Sequence, residues 1–305
     1  MLKIEHLTKV YGGKKAVDDL SLHIQPGEIY GFIGHNGAGK TTTLKSVVGI
    51  LQFDEGEITI DGISIREQPL ACKKKFAYIP DNPDLYDFMT GIKYLNFIAD
   101  VFGVDENIRQ ERIRKYAELF ELTNDLGQPI AAYSHGMKQK LALCCALIHA
   151  PRVLFLDEPT TGVDPVSRRE FWTMLKKLRD EHGLTVLVST PYMDEASWCD
   201  RISLMQGGRF MQTDTPVGIV EAYADRLFAV MAADMHGLMT GLKACPLVGT
   251  SFSFGAAYHV TLVPGATPDA LRSWLTAKGY AEVGITEISP SVEDCFMALM
   301  KTSEK

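Results

Sequence analysis

Apolar and polar residues alternate at the start of the chain, over residues 2–7 and again over 21–24, with the two-residue period of half-buried antiparallel strands. Residues 29–33 (IYGFI) are almost continuously apolar, as a buried strand requires, and a helix-forming run over 40–48 follows them. Residues 56–62 predict another strand, closed by a turn. Between 91 and 149 the strand signals vanish and helical spacing takes over at 94–102, 108–120 and 137–148, which predicts a helical insert. Strand patterns return at 153–156, 185–189 and 202–205. Helical lengths separate them, which predicts a parallel sheet with crossover helices.

Beyond about residue 223 the texture changes. Helical patterns at 235–242 and 268–277 interleave with strand patterns at 248–253, 258–263 and 283–288, and a last helix at 292–300 has Ser291 as its cap. The order resembles a ferredoxin-like βαββαβ unit. The expected division is therefore a domain at 1–222, with its helical subdomain at about 82–150, and a small α+β domain at 223–305.

Composition narrows the class. The chain has 305 residues, 46% of them hydrophobic, enough to bury two moderate cores. A formal charge of −7 leaves no basic stripe for a phosphate backbone, so no nucleic-acid partner is expected. The six cysteines lack metal-ligand spacing and the opening MLKIEHLTK lacks an apolar signal region, so a reducing cytosol is expected. The most apolar stretch, 141–156, is interrupted by His149, Pro151 and Arg152. It falls short of the roughly 20 residues that a membrane span needs.

Three motifs carry chemistry. Residues 34–41 read GHNGAGKT between the buried strand and the helix, the context in which backbone N–H groups cradle nucleotide phosphates. Gly34, His35, Asn36, Gly37, Ala38, Gly39, Lys40, Thr41 and Thr42 form the candidate phosphate-binding segment. Lys40 would meet the β- and γ-phosphates, and the Thr41 hydroxyl would ligate Mg²⁺. The second motif is VLFLDE at 153–158, where a buried strand delivers two carboxylates to the sheet edge at which ligands sit. Asp157 is expected in the Mg²⁺ shell, and Glu158 facing the water that attacks the γ-phosphate. In the third, Ser134 caps the helix of Tyr133-Ser134-His135-Gly136-Met137, and Gly136 lets another molecule's phosphate approach the backbone. A partner subunit placed head to tail is the expected user of this second anion site.

Together with Thr161-Gly162-Val163-Asp164, these motifs resemble the nucleotide-binding subunit of an ABC transporter over about residues 1–220. The resemblance implies an α/β P-loop fold of ABC type, with a mixed sheet core, an antiparallel β subdomain and a helical subdomain. It implies an ATPase that clamps two ATPs, with Mg²⁺, between two such subunits, a homodimer or a heterodimer with another ABC ATPase. It also implies an integral-membrane permease as partner and a peripheral place on the cytoplasmic face of the membrane. Residue by residue, Tyr11 matches the aromatic that stacks on adenine. Lys40 and Glu158 match the catalytic pair, Ser134, Gly136 and Met137 match the signature acting on the partner's ATP, and Asp164 matches the loop that crosses the dimer interface. The segment with Leu85, Tyr86 and Thr90 and the ending PSVEDCF resemble ATPase subunits of bacterial drug or natural-product exporters with a C-terminal extension.

Three positions depart from the family pattern. Asp81 stands where most relatives carry a glutamine that touches the metal and the attacking water. Pro191 occupies the place of the switch histidine and cannot donate a hydrogen bond. His135 replaces the signature's second glycine. Asp81 and Pro191 also fit an alternative, a slow-hydrolysing, nucleotide-sensing or degenerate subunit that needs a second ATPase partner.

Overall fold

The computed structural model describes residues 1–303. In chain order the first elements are β1 (Leu2–Tyr11), β2 (Lys14–Ile24), β3 (Ile29–Ile33), α1 (Lys40–Val47), β4 (Glu55–Ile60), β5 (Ile63–Ser64), α2 (Pro69–Lys73) and β6 (Phe76–Ile79). The helical insert follows as α3 (Gly91–Val101), α4 (Glu106–Leu119) and α5 (His135–Leu147). After it come β7 (Val153–Asp157), α6 (Pro165–His182), β8 (Thr185–Thr190), β9 (Arg201–Gln206), β10 (Arg209–Asp214) and α7 (Pro216–Glu221).

The chain divides into two compact units, Met1–Pro216 and the part from Val217 onward. The first unit has two sheets, an antiparallel one in the order β2-β1-β4-β5 and a six-stranded one in the order β10-β9-β3-β8-β7-β6. In the latter, β9, β3, β8, β7 and β6 run parallel and β10 closes one edge antiparallel. Every residue of β3, β7 and β8 is buried, which is why these strands read as apolar runs and not as alternating patterns. Leu2, Ile4 and Leu7 of the antiparallel sheet share one core with Phe32, Phe155 and Leu187 of the parallel sheet.

Helix ends are set by short side chains. Thr90, Asp105, Ser134 and Asp164 accept from first-turn N–H groups of α3, α4, α5 and α6, filling otherwise unpaired donors. The register then fixes where chemistry can occur. Ile33 pairs with Thr190 and Asp157 with Ser189, so the C-terminal ends of three adjacent parallel strands lie side by side.

The second unit contains β11 (Leu227–Met231), α8 (Met235–Ala244), β12 (Val248–Phe254), β13 (Ala257–Leu262), α9 (Pro268–Ala277), β14 (Gly284–Ile288) and α10 (Val292–Ser303). Its sheet runs β12-β13-β11-β14 with all neighbours antiparallel, the ferredoxin-like order, over a core that includes Phe228, Val260, Leu238 and Leu271. Ser291 Oγ accepts from the Asp294 N–H, and the Asp294 carboxylate accepts in turn from Ser291 and meets His259 Nδ1 at 2.7 Å.

Candidate active site

The loop between β3 and α1 is shaped by glycines that no other residue could replace. A Cβ at Gly34 would stand 2.3 Å from the Met205 carbonyl oxygen. One at Gly39, where φ is +106°, would stand 2.6 Å from that of Ala16. The loop turns back so that the nearly fully buried Lys40 donates to the carbonyls of Gly34 (2.8 Å) and His35 (3.2 Å). Its Nζ lies 3.3 Å from Glu158 Oε1. The cavity beside it measures about 490 Å³, within the range of small-molecule sites, and its lining includes Tyr11, Asn36, Gly37, Thr41, Thr42, Asp81 and Glu158. Lys14 and Lys15 also line it and add positive charge to that of Lys40 for an incoming phosphate chain.

The acids at the end of β7 part ways. Asp157 is fully buried and its Oδ1 accepts from Ser189 Oγ at 2.5 Å and Thr41 Oγ1 at 3.1 Å. Tyr78 donates to its Oδ2 at 3.4 Å. Burial pushes the Asp157 carboxyl above its ordinary range, against the Ser189 and Thr41 hydrogen bonds, while the charges of Glu158 and Asp81 add to the rise. Burial also raises the Tyr78 phenol, with the charges of Asp157 and Asp81 behind it, so its hydroxyl keeps its proton and remains a donor. Glu158 leaves the strand at φ +47°, a left-handed conformation rare outside glycine. That turn sends its carboxylate to Lys40, while its N–H stays tied to Ser189.

Thr41 and Asp81 line the cavity, while the fully buried Asp157 does not line it and lies behind Thr41, whose hydroxyl it accepts from; together they make an all-oxygen donor set too small for a self-contained metal cage. It suits Mg²⁺, which keeps waters and shares its shell with phosphate oxygens. Thr41, Asp157 and Asp81 are the residues that would hold it.

A second, larger cavity of about 1010 Å³ is lined by Ser134, His135, Gly136, Met137, Gly162 and Asp164 among others, and shares no lining residue with the first. Ser134 caps α5 through the Met137 N–H at 3.2 Å, and nothing beyond its chain neighbours and its own helix backbone lies within 4 Å of where a Gly136 Cβ would be. His135 Nε2 meets the Gln139 amide at 3.2 Å, beside the helix and not in the loop. Asp164 caps α6, and its hydrogen bonds with Ser167 hold its carboxyl below the ordinary range.

The remaining expected residues are placed as follows. Tyr11 is half-exposed at the end of β1, with Lys9 Nζ 5.3 Å from its ring centroid. Pro191 follows β8 and lines neither cavity, and its neighbour Tyr192 lies under the Arg168 guanidinium at 4.5 Å. A third, mainly apolar groove of about 510 Å³ runs past Phe76, Ile79, Pro80, Leu85, Tyr94 and His149, adjoining the loop of Asp81. Sequence reasoning missed Ser189, Tyr78, Lys14, Lys15, Gly207 and Gly208, whose roles depend on strand register and on a return of the chain to the phosphate loop.

Comparison with known proteins gives a consistent result. The family model for ABC transporters matches residues 17–161. The chain is 38% identical over 306 residues to YbhF of Escherichia coli, named a probable multidrug ABC transporter ATP-binding protein, covering 98% of this chain and 52% of that one. It thus spans about half the length of that relative. It is 40% identical over 212 residues to YhcH of Bacillus subtilis, an uncharacterised ABC transporter ATP-binding protein, covering 69% of this chain and 68% of that one. Among solved structures, an ATP-binding subunit of an ABC transporter superposes with a TM-score of 0.67 at 29% identity, over 72% of this chain and 92% of the other.

Proposed function

Because the chain belongs to the ATP-binding proteins of the ABC transporter family, we propose that it binds and hydrolyses ATP as one half of a head-to-tail pair that drives a membrane permease. The observation that carries this reading is the pair of cavities with no lining residue in common. One has the phosphate loop and a carboxylate base, and the other has a capped helix N-terminus and an open glycine. Each is half of a phosphate site, and a second subunit supplies the other half.

Within one site, Lys40 and the N-terminal end of α1 neutralise the β- and γ-phosphates, and Tyr11 offers its ring to the base. Glu158 accepts a proton from the water that attacks the γ-phosphorus, the bond to the ADP oxygen breaks, and ADP leaves with the electron pair. Thr41, Asp157 and Asp81 would hold magnesium, which would supply charge neutralisation at the phosphates. Ser134 and Gly136 of the opposite subunit close over the terminal phosphate.

The apolar groove beside Asp81 suits a permease segment, since its lining is the most apolar of the three cavities described above. No helix of the described residues is long and apolar enough to cross a membrane, which fits a peripheral position at the cytoplasmic face. Similarity to a protein named for multidrug transport supports export as the direction. The test is gel filtration of purified chain carrying Glu158→Gln at saturating ATP. We expect a nucleotide-bound dimer, and a chain that stays monomeric refutes pairing between two copies of this chain.

A further inference from the structure

We propose that Tyr78 couples the apolar groove to the acid that would help hold magnesium, as a residue of the groove lining whose hydroxyl hydrogen-bonds Asp157. The inference rests on the function proposed above. Tyr78 lies on β6, the outermost strand of the parallel sheet, so only β7 flanks it there. It lines the groove with Phe76, Ile79, Leu85, Tyr94 and His149. Its hydroxyl, 3.4 Å from Asp157 Oδ2, is the protein donor to that oxygen among the described residues, while Ser189 and Thr41 occupy Oδ1.

At 3.4 Å this hydrogen bond is longer than the usual O–H···O range of about 2.5–3.0 Å and lies close to the limit at which one is made. A shift of the ring by about 0.5 Å toward β7 would make it short, and the same shift away would abolish it. A segment wedged into the groove cannot bear on the ring without altering how Asp157 is held. The route differs from movement of the Asp81 loop, because it runs through one side chain within a strand.

The test reads Mg²⁺-dependent binding of a fluorescent ATP analogue to the full chain, with a parallel titration in EDTA. Tyr78→Phe should raise the Mg²⁺ concentration for half-maximal tight binding about tenfold, the usual effect of losing a partner of a metal ligand, and leave affinity in EDTA unchanged. Leu85→Trp, which fills the groove, should shift the Mg²⁺ dependence in the native background and have no effect when combined with Tyr78→Phe. If Leu85→Trp does not fold, Ile50→Trp at the exposed groove rim gives the same reading. Ser189→Ala weakens the same carboxylate from the other side and should leave the groove effect intact. An unaltered Mg²⁺ dependence in Tyr78→Phe, or a groove effect that persists without the hydroxyl, overturns the coupling. Absence of Mg²⁺-dependent nucleotide binding in the native chain overturns the underlying function instead.

Discussion

Replacing Ser189 with alanine removes the shortest hydrogen bond to Asp157 and leaves a fully buried carboxylate with two of its three donors. The Glu158 N–H loses one of its contacts but keeps the Ser189 carbonyl at 3.0 Å, so the main loss is the bond to a charged group. Such a bond contributes about 1.5–3 kcal/mol, and a neutral one about 0.5–1.5 kcal/mol. In a domain of this size that lowers the unfolding temperature by about 3–12 °C. The loss should depend on pH with a definite sign. The Asp157 carboxyl is already raised by burial from its ordinary 3.8, and removing a donor raises it further. A carboxyl raised on folding contributes stability that is fully present below 3.8 and is lost as pH rises through the folded value, and the variant loses more of it. The gap between native and variant chains should therefore be largest at neutral pH. It should shrink in acid, where both bind the proton. Equilibrium urea unfolding of both chains across that window gives the comparison, and a gap that stays constant or widens in acid refutes the charged bond.

Other outcomes follow from the same geometry. Pro191→His should raise ATP turnover by tenfold or more, since a positioned proton-transferring or orienting group contributes about 10²–10⁴ in rate; an unchanged rate would show that the position has no part in the reaction. Gly136→Asp has room for its side chain in the monomer, but sets a carboxylate against the partner's phosphate. Single-chain ATP affinity should stay as it is while ATP-driven dimerisation disappears from gel filtration. Tyr11→Ala should weaken ATP binding by about two- to tenfold, the range of one aromatic stacking contact, and equal titration curves would remove Tyr11 from the base site.

The parts of the site that could be read from sequence are contiguous ones. Residues 34–42 carry their own turn chemistry, and residues 153–158 announce a buried strand ending in acids, so each motif states its structural context locally. Ser134 was legible for the same reason, as a cap must sit next to its helix. Ser189 and Tyr78 were not, because each meets Asp157 across a strand pairing, and nothing within a few residues of either specifies that register. The first strand of the second unit, Leu227–Met231, was not read from the sequence: LFAVM is a five-residue apolar run, too short for periodicity to tell strand from helix, and no chemical motif follows it to fix the choice. The alternation at 21–24 caught only the end of β2, which starts at Lys14. Bulges and the left-handed Asp19 (φ +56°) disturb the period before residue 21.

The short turn from Glu158 to Asp164 explains why the two cavities need not act independently. Glu158 faces the phosphate loop, Pro159 and Thr160 already line the other cavity, and Asp164 begins α6 there. The turn is braced at successive points: Thr161 N–H donates to the Glu158 carbonyl, Val163 N–H to that of Thr160, and the Thr160 hydroxyl to the buried Glu195 carboxylate at 2.6 Å. Glu158 itself is held at φ +47°, a conformation that costs of order 1–3 kcal/mol and persists only where its surroundings impose it. A partner pressing on the Asp164 end therefore acts on a stiff segment whose other end carries the carboxylate, and a small displacement at one cavity has few places to dissipate before it reaches the other. In a head-to-tail pair, closure by the second subunit and alignment of the base would then be one event, and hydrolysis by an isolated chain should be slow even where ATP is bound.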